Sequence, residues 1–251
     1  LTGSFFLGLI FSFPVVAAFA LAIELLIIRP LYHRDHLDQV LATFGLILFF
    51  NEGVSIVFGR TPLFLNVPEA LSGAVQITET FSYPLYRIAI IAVGLMVAAI
   101  LWFIIVKTRT GMRIRAGTTN PEMIRALGVN IQALNTTIFV VGALFAGLAG
   151  GLSGPLTSVE VGMGENLLIL SFVCIVIGGI GSIRGALLGA LTVGLVDTLG
   201  RAFLPDLLGQ FLDPATANGI GAALSSMSVY LLMIIVLIFK PTGLFPVARA
   251  A

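Results

Sequence analysis

Polar residues are clustered along this chain, and between the clusters lie apolar runs near 5–28, 40–58, 88–106, 136–152, 167–183, 185–203 and 220–239. A helix needs about 20 mainly apolar residues to cross a hydrocarbon layer about 30 Å thick. Seven runs meet or approach that length, so the pattern predicts an all-α, polytopic membrane helical bundle of about seven segments, forming a single transmembrane domain over 1–251. The run 88–106 carries no charge and is the clearest. The fifth and sixth runs are parted only by Gly178-Gly-Ile-Gly-Ser-Ile-Arg-Gly185, which leaves their boundary soft.

Composition agrees with lipid as the main solvent. Hydrophobic residues fill 58% of the 251 positions and charged ones 10%, where a soluble domain carries about 25% charged. A net charge of +1 says nothing of nucleic acid, and none is expected as a partner. The placement of the cations says more. With 29–39, 107–135, Arg184 and the tail on one side, that side holds ten Lys and Arg, namely Arg29, Arg34, Lys107, Arg109, Arg113, Arg115, Arg125, Arg184, Lys240 and Arg249. The other side holds Arg60, Arg201 and Arg87 at a helix end. Positive charge marks the cytoplasmic side, so 107–135 is expected in the cytoplasm and 59–86, 154–165 and 204–219 outside. The outer loop 59–86 carries Pro62, Pro68 and Pro84, and its middle, 71–80, is expected to fold back onto the membrane surface. The opening Leu1-Thr-Gly-Ser, without methionine or a basic leader, predicts a natural protein that begins further upstream.

The connection 107–135 is longer than a turn between spans needs. Asn120 suits an N-cap and Pro121 the first helical position, where its missing N–H costs nothing. Glu122 sits at the positive end of the helix dipole, and Gly128 suits the left-handed stop. A two-turn helix over 121–127 follows. Its apolar residues Met123, Ile124 and Leu127 are expected on one face, packed on the protein's own helices or the lipid interface, or else offered to a soluble partner.

Three carboxylates fall inside apolar runs, where each costs about 2.5–3.5 kcal/mol at mid-bilayer. Glu24 lies near Arg29 and is expected to snorkel to the cytoplasmic interface. Asp197 and Arg201 are four apart and pair on one helix face. Glu52 stands about 18 Å into its span at helical rise, between Asn51 and Gly53, with no cation within a turn. It is expected to face the bundle interior or a watery cavity, either lining a solute path or making an interhelical hydrogen bond. Gly147-x-x-x-Gly151 and Gly185-x-x-x-Gly189 are spacings that let helices approach closely. Cys174, the one cysteine, reads as a small buried hydrophobe, and His33 and His36 beside Asp35 and Asp38 as a solvated turn that binds no metal.

Four motifs then carry a resemblance. Arg115-Ala, Asn120-Pro and Ala126-Leu-Gly128-Val-Asn130 form one; Leu41-Ala-Thr-Phe-Gly-Leu46, Gly178-Gly-Ile-Gly-Ser-Ile-Arg-Gly-Ala186 and Lys240-Pro-Thr-Gly-Leu-Phe245 are the others. In this order, from about residue 30 to the end, the chain resembles permeases of the branched-chain amino acid ABC transporter family. The resemblance implies a permease in a bacterial inner membrane, moving branched-chain or related amino acids or another small polar solute into the cytoplasm. It also implies a second permease subunit, homologous or identical, two cytoplasmic ATPases and a periplasmic binding protein. On that reading Asn120, Pro121, Glu122, Met123, Ile124, Arg125, Leu127 and Gly128 couple to the ATPase, and Asn51 and Glu52 are candidates for the solute path. No cofactor or catalytic residue is expected on this chain. Its two lysines follow Val106 and Phe239, so neither sits in the Gly-Lys-Ser/Thr loop that holds nucleotide phosphates, and ATP with its Mg belongs on the partner. A stand-alone secondary transporter or channel is the alternative, although no internal repeat marks one. A membrane-embedded enzyme is a third reading, with no catalytic constellation behind it.

Overall fold

A computed structural model of the chain describes residues 5–32, 34–78, 81–179, 181–210 and 213–245. Six of its helices are long and apolar enough to cross a membrane. In chain order the elements are α1 (Phe5–Leu31), α2 (His36–Phe58), a hairpin of β1 (Ala74–Thr78) and β2 (Phe81–Pro84), α3 (Leu85–Lys107), α4 (Arg109–Thr119), α5 (Pro121–Ala126), α6 (Ile131–Ser153), α7 (Met163–Gly178), α8 (Ile183–Leu208) and α9 (Pro214–Phe239). The fold class is all-α and polytopic, as the apolar runs indicate. Seven apolar helices stand where seven runs were read, but α7 has 16 residues, about 24 Å at helical rise and short of a full crossing. The chain forms two compact units, residues 1–163 and 164–251.

In the first unit α1 packs along α6 through the predicted small residues. A Cβ on Gly147 would meet the Val16 side chain at 3.2 Å, and one on Gly151 would meet Leu9 at 2.8 Å. Polar ties fix the ends. Gln39 donates its amide to the Leu31 and Arg34 carbonyls, both at 3.0 Å, covering acceptors that the end of α1 leaves open. The buried Tyr86 donates its hydroxyl to the Leu152 carbonyl at 2.8 Å, joining the start of α3 to the end of α6. Leu63 and Val159 form an antiparallel bridge between two loops.

The loop 59–86 contains more structure than its prolines suggest. Val75 pairs with Tyr83 and Gln76 with Ser82 in the hairpin, which carries an irregularity between Gln76 and Thr78. The short alternation Val75-Gln-Ile-Thr78 is the signal for it, easily lost beside much longer apolar runs.

In the second unit Val173, Ile177, Val193, Val229 and Val236 make the core. The predicted spacing Gly185-x-x-x-Gly189 again marks a close approach, here of α8 onto the end of α7: side chains at these positions would strike the backbone of Gly178 and Cys174. Two of the sequence motifs meet at this point. The last carbonyls of a helix have no partner within it. The Ile177 and Gly178 carbonyls accept from the backbone N–H groups of Leu244 and Phe245, at 2.8 and 3.0 Å. The segment Lys240–Phe245 is therefore the cap of α7. Farther along, Ser225 is fully buried, donates to the Gly221 carbonyl at 2.7 Å and lies against Gly200.

Candidate functional site

The basic connection holds two helices. Thr108 accepts from the Gly111 N–H at 3.2 Å and starts α4, which folds back on the end of α3, where the Thr108 hydroxyl bonds the Ile104 carbonyl and the Arg115 guanidinium the Ile105 carbonyl. This helix was not anticipated. Its signal is Thr108 three residues before Gly111, in a stretch too polar to stand out beside the long apolar runs. Arg109, Arg113 and Arg115 make its exposed surface basic.

The second helix forms as its caps predict. Asn120 accepts from the Met123 N–H at 3.0 Å, and Pro121 opens the helix. The helix runs to Ala126, with Leu127 as its C-cap, one residue short of the expected end. Gly128 takes φ +81° and donates to the Arg125 carbonyl at 3.0 Å, while Val129 donates to Ile124 at 3.2 Å. The left-handed φ is strained for any residue with a Cβ. Asn130 then caps α6, accepting from Ala133 at 3.0 Å. Replacing Asn120 with alanine should cost α5 about 1 kcal/mol. Hydrogen exchange would report it as faster exchange at the Met123 amide, with the spans unchanged.

The expected shared face is divided. Ile124 is buried at 9% exposure, whereas Met123 and Leu127 are 61% and 73% exposed. Ile124 anchors α5 to its own chain, and the other two stand outward as a foot flanked by the exposed Glu122 and Arg125. The three apolar residues of this small helix thus point in different directions, one packed on its own chain and two exposed.

The intramembrane carboxylates are all paired. Glu24 does not snorkel: it is fully buried, 3.2 Å from the Arg29 guanidinium, which also donates to the Thr136 hydroxyl on α6 at 2.9 Å. Removing a partner from such a buried pair costs about 3–5 kcal/mol, because a bare carboxylate is left behind. Beyond the end of the span, the Tyr32 phenol is pushed above its ordinary pKa by partial burial and by the Glu24 carboxylate, with Arg29 opposing. Asp197 and Arg201 pair on α8 at 3.0 Å, four residues apart as expected.

Glu52 has a cation that linear distance concealed. Gly59, at φ +82°, ends α2 and returns Arg60, whose guanidinium reaches both Glu52 oxygens at 3.1 and 3.3 Å and the Ser55 hydroxyl at 2.9 Å. Glu52 is 63% exposed on this chain and does not face its own helices. Asn51, beside it, is half-buried. A cavity of about 490 Å³ lies elsewhere, between α1 and α6, where Leu9, Ser12, Val16, Gly147, Gly151 and Leu65 are among its walls. Its lining has no charged group and includes neither Asn51 nor Glu52. Of the His33–His36 pair, His33 and the His36 side chain lie outside the described residues, as does Arg249. Among the described residues no group of three potential metal ligands occurs.

Six helices long and apolar enough to cross a membrane, with the carboxylates Glu24, Glu52 and Asp197 each paired to an arginine, define a multi-pass membrane protein. The chain is a member of the family described as branched-chain amino acid transport system / permease component, whose model matches residues 1–237. It is 30% identical to the high-affinity branched-chain amino acid transport system permease protein BraD of Pseudomonas aeruginosa, over 93% of this chain and 72% of that one. It is 27% identical to LivH of Escherichia coli, a permease of the same description, over 94% and 73%. The nucleoside ABC transporter permease NupC of Lactococcus lactis is 27% identical over 78% of this chain and 59% of its own. No solved structure matches the chain at a significant level.

Proposed function

We propose that this permease works in an ATP-driven importer of the bacterial inner membrane, carrying branched-chain or related amino acids into the cytoplasm. The observation that carries the proposal is the foot: Met123 and Leu127 are exposed on a short helix capped at both termini and pinned by Ile124. An ordered apolar pair on a polar, basic connection suits a soluble partner, and a cytoplasmic ATPase is the partner a permease of this family requires. ATP and Mg sit on that subunit. A stand-alone transporter has no use for such a foot. Descriptions of BraD and LivH support the amino acid substrate.

The second permease subunit completes the pathway, and a periplasmic binding protein delivers the solute. In a two-subunit pathway the wall of the path is exposed on each chain taken alone. Glu52, Asn51 and Ser55 on α2, with Arg60 just beyond its end, form a polar patch of that kind, able to meet the ammonium and carboxylate of a zwitterion. Exposed ion pairs contribute about 0–1 kcal/mol to stability, so Glu52→Gln should assemble normally. Its leucine uptake should fall about tenfold, the loss of one charge-assisted hydrogen bond of about 1.5 kcal/mol. Unchanged uptake kinetics would make the pair purely structural.

The importer reading is tested by purification from membranes. The chain should emerge with a nucleotide-binding subunit and lose uptake when that subunit is removed; uptake by the chain alone in proteoliposomes excludes the reading.

A further inference from the structure

The helix α1 is not α-helical throughout. Residues Glu24–Ile28 form a π-turn, in which the Arg29 N–H reaches the Glu24 carbonyl five residues back. Five residues of ordinary α-helix leave two side chains about 140° apart around the axis. The wider turn brings positions five apart onto a common side, and so makes the Glu24–Arg29 pair possible. Such turns cost helix regularity and cluster at working sites.

The pair is also connected outward. Arg29 bonds Thr136, which lies in the second turn of α6, and α6 follows the foot after only a short link from Leu127 to Asn130. The α1–α6 contacts at Val16 with Gly147 and at Leu9 with Gly151 are apolar and can slide; this link is directional. It is incompletely satisfied as well: Glu24 Oε1 and Arg29 Nε are buried without a hydrogen-bond partner among the described residues. A buried polar group in that condition favours rearrangement toward fuller pairing.

We propose that Glu24, Arg29 and Thr136 form a latch through which movement of the foot is passed to α1. Displacement of α5 moves the base of α6, and the Arg29–Thr136 bond draws the π-turn with it or releases it. This rests on the reading of the foot as the contact with a motor.

The test uses the whole transporter in proteoliposomes, with leucine as the solute. Thr136→Val removes the hydroxyl and leaves the foot and the Glu24–Arg29 pair intact; Thr136→Ser keeps the hydroxyl. Leucine moved per ATP hydrolysed should fall about tenfold in Thr136→Val, within the range of ordinary coupling energies. The Ser variant should retain the ratio, and the melting temperature of both should match the parent. A Thr136→Val transporter with normal coupling overturns the latch. Substitution of Met123 and Leu127 by aspartate separates the two ideas: if that variant is uncoupled while Thr136→Val is not, the foot stands and the latch fails; if neither is uncoupled, both fail.

Discussion

A transporter carrying Met123→Asp and Leu127→Asp should insert and fold normally yet lose at least about 30-fold in ATP-driven uptake. The two side chains are 61% and 73% exposed, so a carboxylate at either site remains in water in the isolated chain and costs its fold little. Against an ATPase the same carboxylates must be buried without a partner. Apolar anchors at a protein contact contribute about 2 kcal/mol or more, and about 1.4 kcal/mol is a factor of ten, which gives the expected loss. Membrane abundance and the ATPase's own hydrolysis, measured apart from the permease, should be unaffected. Full coupling in this variant would show that another surface bears the motor.

Ile124 provides the contrast, from the same helix and one residue from Met123. It is buried at 9% exposure, and a carboxylate there would be withdrawn from water. Ile124→Asp should unfold the foot itself, read as rapid amide exchange across 121–128. The two substitutions differ in what fails: contact in one, local structure in the other.

That division was not legible in the residues. Their spacing indicated a helix, and its caps placed its limits to within one residue, because Asn120, Pro121 and Gly128 act locally through their own backbones. Which of three apolar neighbours turns inward depends on the direction in which α4 and α6 enter and leave, and no local signal carries that. The carboxylates follow the same rule. Asp197 and Arg201 are four apart on an unbroken helix, so their pair could be read directly. Glu52 meets Arg60 only because Gly59 reverses the chain, and Glu24 meets Arg29 only because five residues adopt a π-turn. An α-helical wheel hides both. Spans were the most legible feature, since apolar length alone decides whether a segment tolerates lipid. The direction of exposed side chains was the least legible, because it is set by how neighbouring helices enter and leave and not by local spacing.

A large structural effect is expected at Gly185. A Cβ there would collide with the Gly178 backbone carbonyl and crowd Ser182, the N-cap of α8, whose hydroxyl accepts from the Gly185 N–H at 3.0 Å. A flexible side chain could yield by rotating about its bonds, but backbone can move only if α7 moves. Its end is itself fixed by the Leu244 and Phe245 N–H groups, so displacement would also break the cap provided by the tail. Overpacking in a well-filled interior costs about 1–3 kcal/mol, and Gly185→Val should reach the upper end, near 3 kcal/mol. Gly194, on the same helix, has nothing within 4 Å of its Cβ position. Alanine there should be neutral or stabilise by up to about 1 kcal/mol, through helix propensity alone. Thermal unfolding of the purified permease in detergent should therefore fall for Gly185→Val and hold or rise for Gly194→Ala. If Gly185→Val melts with the parent, α7 and α8 cannot be in backbone contact, and the role assigned to the Lys240–Phe245 segment as the cap of α7 falls with that packing.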